Sequence, residues 1–274
     1  LLSKNVGPVH WWQITKGTFK KEMLFFYRYK GWLISSIIQP IIWILLFGYL
    51  GKGFGIKETS AGVDFTSYMI LGVVSLMLIS QTMWGSGNAL RTEQYRGTLE
   101  SIMTAPSNII SILIGFSFVD LVQSAYMMGV SVSFGLLIFG FVGNLVDFVA
   151  LIVVMGMIIF SLFGFGLLFA GITLMIKQSG ALINLIQPII FLLSGMFFPV
   201  SALPEPVRTI GLSLPITQGL MALQDVVLRG ATLTDVGFQI FYLFASGVVL
   251  GLFGYYVLRR LMQKARKLGL YGTF

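Results

Sequence analysis

Nineteen consecutive residues, from Trp32 to Leu50, carry no charge, and comparable apolar runs recur to the end of the chain. An α-helix needs about 20 such residues to cross the ~30 Å hydrocarbon core of a bilayer. Inside that core each backbone polar group must bond within its own segment, so repeated runs of this length fold as a bundle of spanning helices. Composition agrees: 56% of the residues are hydrophobic and 10% charged, against roughly 25% charged in soluble domains. The expected fold is all-α, a polytopic membrane protein with six transmembrane helices over residues 32–50, 67–88, 109–139, 146–175, 181–198 and 236–258. The chain is read as one transmembrane domain over 1–274, because the polar stretches between runs are too short to bury cores of their own.

Other segments do not fit a span. In residues 10–30, Trp12, Phe19, Met23 and Phe26 fall on one helical face and Lys16, Lys20 and Lys21 mostly off it, which predicts an amphipathic helix in the headgroup layer. Residues 199–230 hold four prolines at moderate hydrophobicity, and a re-entrant helix pair is expected there. "IQPII" occurs at 38–42 and again at 186–190. Both copies read as proline kinks, with Gln39 and Gln187 placed to satisfy the freed carbonyls. Gly156, Gly164 and Gly171 in the fourth run suit close helix packing.

The net charge of +8 comes from residues flanking apolar runs, which fits anionic membrane lipids and not nucleic acid. Lys16, Lys20, Lys21, Arg28 and Lys30 precede the first run, Arg91 and Arg96 follow the second, and Arg259, Arg260, Lys264, Arg266 and Lys267 close the chain. Only Lys52, Lys57, Arg208 and Arg229 fall in the opposite loops. The positive-inside rule therefore places both termini and residues 89–108 in the cytoplasm of a cell-membrane protein. No cleavable leader is read in the N-terminal segment.

Catalytic chemistry is not expected. With no cysteine and one histidine, thiolate and histidine metal sites are excluded, and no paired carboxylate or activated nucleophile is apparent. "GYLGKGF" fails the phosphate-loop spacing, with Gly53 where a magnesium-binding hydroxyl belongs. Catalytic, cofactor and metal residues are therefore read as none. Asp120 is an acid well inside a span, on one face with Ser117, Ser124 and Ser131. Two readings stay open: a polar translocation path or a buried carboxyl bonded to neighbouring hydroxyls. Asn184, Gln187 and Ser194 share a face of the fifth run and admit interhelical bonding or path lining in the same way.

Between the second and third runs stands "EQYRGTLESIMTAP", residues 93–106. Glu93, Arg96, Gly97, Thr98, Leu99, Glu100 and Pro106, placed after a second span, resemble the cytoplasmic segment of type-2 ABC transporter permeases. A second stretch resembles that family's other hallmark: Ser194–Gly195, Pro199, Pro204, Pro215 and Gly230 stand in its order. The resemblance implies the membrane subunit of an ABC exporter, dimerising with a second permease, in a homodimer, and docking on two cytosolic ATP-binding subunits that hold ATP and Mg. Residues 91–107 would then be the coupling helix, a short amphipathic lever. In that reading Thr92 caps it, Glu93 sits at its positive end, Arg96 and Glu100 form an i,i+4 pair, and alanine at Gly97 strengthens it. The substrate expected is amphipathic or hydrophobic: a lipid, a lipid-linked glycan or a drug. An ion-coupled secondary transporter, for which only Asp120 is available as a coupling carboxylate, and a non-transporting membrane scaffold are the alternatives.

Overall fold

The structure, a computed structural model, describes residues 8–54, 58, 64–104, 108–139, 147–176 and 179–267. Its helices are α1 (Pro8–Arg28), α2 (Lys30–Gly53), α3 (Phe65–Trp84), α4 (Ala89–Tyr95), α5 (Leu99–Thr104), α6 (Ile109–Phe139), α7 (Phe148–Met175), α8 (Ser179–Leu193), α9 (Glu205–Ser213), α10 (Pro215–Arg229) and α11 (Gly237–Lys267). Two single turns of 3-10 helix, Ser86–Asn88 and Val200–Ala202, punctuate them. The chain is an all-α, multi-pass membrane protein: α2, α3 with its continuation to Tyr95, α6, α7 and α11 are each long and apolar enough to span a bilayer.

Helix α3 is apolar on every side and lies at the centre, packed by α2, α6, α7, α8 and α10. A helix without a polar face has no side to give to water, so burial all round is the expected outcome. The main core gathers on it, with Ile70, Leu71, Met77, Ile79, Val154, Ile158, Ile183, Leu220 and Leu223 among its members. A second core lies toward the hairpin end, where Ala89, Leu90 and Leu99 meet Leu113 and Phe116 of α6, Leu174 of α7 and Leu258 of α11.

The closest helix pair is α7 with α11. A Cβ on Gly164 would stand 2.7 Å from the Gly251 nitrogen, and one on Gly254 2.8 Å from the Gly164 carbonyl oxygen. The backbones touch because neither residue has a side chain, and Ser161 and Ser246 join their hydroxyls across the seam at 3.0 Å. Gly171 packs in the same way on Leu258, whereas Gly156 meets nothing within 4 Å, so its expected packing role does not hold.

Three further expectations change. The fifth apolar helix, α8, ends at Leu193, five residues short of 198. Its 15 residues rise about 22 Å at 1.5 Å per residue, and Gly195, at φ +74°, turns the chain back. The bent pair α9–α10 then returns, its axes 83° apart. Pro204 stands at the N-cap of α9, Pro215 opens α10, and Pro199 precedes the 3-10 turn. The second change concerns the glutamines beside the prolines, where α2 and α8 stay helical on both sides of Pro40 and Pro188. Gln39 is exposed, and Gln187 bonds to another helix. The third is the inner face of α1, which is Thr15, Glu22 and Phe26, while Trp12 is 62% exposed. Gly115 of α6 admits Thr15 and Thr18 at close range, and that contact sets the rotation of α1.

Candidate functional site

Helix α3 stops at Trp84 because Gly85 leaves the helical region, at φ −86° and ψ −103°. Asp120 of α6 takes the freed Ser86 N–H at 2.9 Å. A Cβ on Gly85 would lie 1.8 Å from Asp120 Oδ1, so the carboxylate and the glycine need each other. From the other side the Thr173 hydroxyl of α7 donates to the Gly87 carbonyl at 2.9 Å. The break is therefore fixed by α6 and α7 before the chain leaves the core.

Ser117 and Ser124 share a narrow cleft with Asp120, Thr82 and Ser86. Gln187 lies elsewhere: it accepts from Trp84 Nε1 at 3.2 Å and donates to Ser80 Oγ at 2.7 Å. Ser80 is two residues from Thr82, about 200° around a helix turning 100° per residue. The two polar groups thus lie on opposite sides of α3, and Asn184 is exposed on α8. Within this chain they do not form one lining.

Residues 91–107 are not one helix. Helix α4 ends in a turn in which Gly97, at φ +71°, takes the left-handed conformation. Gly97 N–H donates to the Gln94 carbonyl and Thr98 N–H to the Glu93 carbonyl, both at 3.0 Å. This is the Schellman closure, the usual helix stop at a left-handed glycine. Helix α5 then departs from Leu99, giving a helix–turn–helix hairpin. The sequence signal for the stop was there, a glycine closing a short helical run. Pro106 lies outside the described residues.

The expected side-chain roles change with the backbone. Glu93 is not at a helix start but in the last turn of α4, and Thr92 bonds back to the Asn88 carbonyl. Arg96 does not pair with Glu100. It reaches α1, with Nη1 2.6 Å and Nη2 3.3 Å from the two oxygens of Glu22, and it stands 3.3 Å from Glu93. Lys21 of α1 donates to Glu93, and its ammonium lies 3.1 Å from Glu22. The Thr98 hydroxyl also donates to the Glu93 carboxylate.

Two acids and two bases thus alternate between α1 and the hairpin. Glu93 is 1% exposed, whereas Arg96 is 32% and Lys21 40% exposed, so the cluster runs from the core to the surface. Burial works against the Arg96 charge, but Glu22 and Glu93 outweigh it and lift its pKa above the ordinary arginine value. The guanidinium also covers the Phe25 ring at 4.5 Å. Lys21 was read in the sequence only as a headgroup-facing base and Glu22 was missed, although Glu22 is the sole acid before Glu58, an isolated negative charge among lysines.

Leu99, 1% exposed, anchors α5 in the second core, with Ile102 and Met103 partly buried beside it. Tyr95, Arg96, Gly97, Thr98, Glu100, Ser101 and Thr104 face outward. The result is a stiff, two-sided knob, apolar toward the bundle and polar at its tip. No cluster of metal-ligating side chains occurs among the described residues.

Comparison with known proteins agrees with this architecture. The profile of a family described as ABC-2 type transporter matches residues 15–228. The daunorubicin resistance ABC transporter permease protein DrrB1 of Streptomyces coeruleorubidus is 24% identical over 223 residues, covering 79% of this chain and 76% of that one. The linearmycin resistance permease protein LnrN of Bacillus subtilis (strain 168) is 25% identical over 184 residues, covering 66% of this chain and 46% of that one.

Proposed function

The chain belongs to the ABC-2 type transporter family, and on that premise we propose that it is the membrane-spanning permease subunit of an ABC exporter. A separate cytosolic ATP-binding subunit, in two copies, would hold ATP and Mg and hydrolyse the nucleotide, and a second copy of this chain would complete the pathway. The observation that carries this reading is the α4–α5 hairpin. Its polar tip, with Glu100, Ser101 and Thr104, is exposed, while its other side is tied to α1 by the Glu22–Arg96 and Lys21–Glu93 pairs and to α3 through the Gly85 break. Displacement of the tip would reach α1, α3 and α6 together, which is what coupling to an ATPase requires.

The substrate is an amphipathic or hydrophobic molecule. The names of the two relatives, which refer to daunorubicin and linearmycin resistance, support a drug over a lipid or a lipid-linked glycan. The test is co-expression with the cognate ATP-binding subunit. Ser101→Trp at the exposed tip is expected to insert and dimerise normally but to lose the co-purifying subunit. Phe238→Ala, on an outward face of α11, serves as control. Undiminished co-purification and ATP turnover with Ser101→Trp would remove the hairpin from this role.

A further inference from the structure

Besides holding the Ser86 N–H, the Asp120 carboxylate fronts the narrow cleft between α3, α6 and α7. That cleft has room for one water-sized sphere, about 10 Å³. Five of its lining residues bring side-chain oxygens: Asp120, Ser117 and Ser124 from α6, Thr82 from α3, and Ser86 from the turn that follows. The hydroxyl hydrogens of Thr82 and Ser117 are spent on the Leu78 and Leu113 carbonyls, each at 3.1 Å. Ser86 Oγ faces the Thr82 carbonyl at 3.5 Å. A hydroxyl has one hydrogen and two lone pairs, so Thr82 and Ser117 offer the cleft lone pairs alone. Ser124 is 4% exposed and lines the cleft, yet its hydroxyl forms no hydrogen bond among the described residues. It is not sealed in the packing either, and keeps surface toward the cleft.

Charge is one-sided here. No lysine or arginine lines the cleft, and Asp120 forms no ion pair among the described residues. Lys21 does reach α6, 5.8 Å from the Phe116 ring centre, but Glu22 and Glu93 hold its ammonium. Asp120 is itself 8% exposed and stands about three turns, or 16 Å, into α6. An ionised carboxyl so placed is costly without a counter-charge.

From these observations we infer that the cleft binds one monovalent alkali cation, with sodium the best fit in size. Asp120 supplies the charge, and the oxygens of Ser117, Ser124, Thr82 and Ser86 complete the shell. A divalent ion asks for more carboxylates or several retained waters, and the cleft has neither the charge nor the space. A neutral water fits the space but leaves the carboxylate uncompensated. Because Asp120 also holds Ser86, the bound ion fastens α6 to the end of α3 and steadies the root of the hairpin. The site lies within one chain and stands or falls independently of the exporter reading.

The test uses the full chain, purified in detergent without an ATP-binding subunit, at constant ionic strength in sodium, potassium or choline chloride. The thermal midpoint is expected to rise by about 2–4 °C from choline to sodium, the response to an ion at about fivefold its Kd. Potassium, a larger ion, should give a smaller rise. Hydrogen exchange over residues 85–95 should slow in sodium. Asp120→Asn keeps an acceptor for the Ser86 N–H, so it should match the parent in choline yet lose the sodium rise. Ser124→Ala removes one ligand and breaks no hydrogen bond, so it should shrink the rise without lowering the choline midpoint. Glu205→Gln, exposed on α9, should leave the rise intact. Equal midpoints for the intact chain in all three salts overturn the site and assign the cleft to water or to a protonated carboxyl. A sodium rise that survives both Asp120→Asn and Ser124→Ala overturns it too, since the ion then binds elsewhere.

Discussion

Gly97 stands at φ +71° with open space around it, so its replacement is governed by backbone strain and not by contact. Alanine there would strain the left-handed turn by about 1–2 kcal/mol, the reverse of the strengthening expected for a helix interior. Gly97→Ala should therefore lower the thermal midpoint of the purified chain, and Gly97→Asn should lower it less, because asparagine tolerates that region. An equal or higher midpoint for alanine would mean that the turn is not held as described. Arg96 and Glu22 offer a second measurement. A double-mutant cycle with Arg96→Gln and Glu22→Gln should give a coupling of roughly 0.5–3 kcal/mol. The lower half of that range is expected, since Arg96 is a third exposed and solvent screens it. Strictly additive losses would show that the bidentate contact contributes nothing to the docking of α1.

Among the elements, the join between α3 and the hairpin depends on one carboxylate. Asp120→Asn keeps an oxygen for the Ser86 N–H, and a small effect is expected. Asp120→Leu leaves that donor buried and unpaired, a loss of about 1–3 kcal/mol. It should appear as faster hydrogen exchange confined to residues 85–95; protection equal to that of the parent would deny Asp120 this role. The α7–α11 seam makes a different demand. Gly164→Val places methyl groups against the Gly247–Gly251 backbone of α11, and overpacking of this kind costs about 1–3 kcal/mol. Gly156→Val, with nothing within 4 Å, should be silent in the same thermal assay.

For the molecule as a whole, the basic residues that flank the hairpin predict a cytoplasmic hairpin end, and the cysteine-free sequence makes that orientation directly measurable. In intact cells an impermeant maleimide should label Thr234→Cys, exposed between α10 and α11, and spare Ser101→Cys at the hairpin tip. Labelling of Ser101→Cys alone would invert the chain. Much of the architecture is legible locally. The uncharged run of α2, the all-round apolarity of α3 and the prolines at 199, 204 and 215 each state a preference that needs no partner. Hydropathy, length and a missing N–H are properties of a residue and its neighbours, so spans and the bent pair follow from them. The limits of that reading are equally specific. Glu22 and Arg96 are 74 positions apart, Ser86 and Asp120 34, and Gln187 and Ser80 107. Each has nearer partners of suitable chemistry, Glu100 for Arg96 and the local hydroxyls for Asp120. The choice fell to the distant ones because α1 rotates Thr15 and Thr18 against Gly115, which carries Glu22 to Arg96, and because Gly85 breaks α3 beside α6. The sequence by itself determined which long segments are apolar enough to cross a bilayer. Which polar groups meet was decided only when the helices packed, since a buried charge takes whichever partner the packing brings within reach.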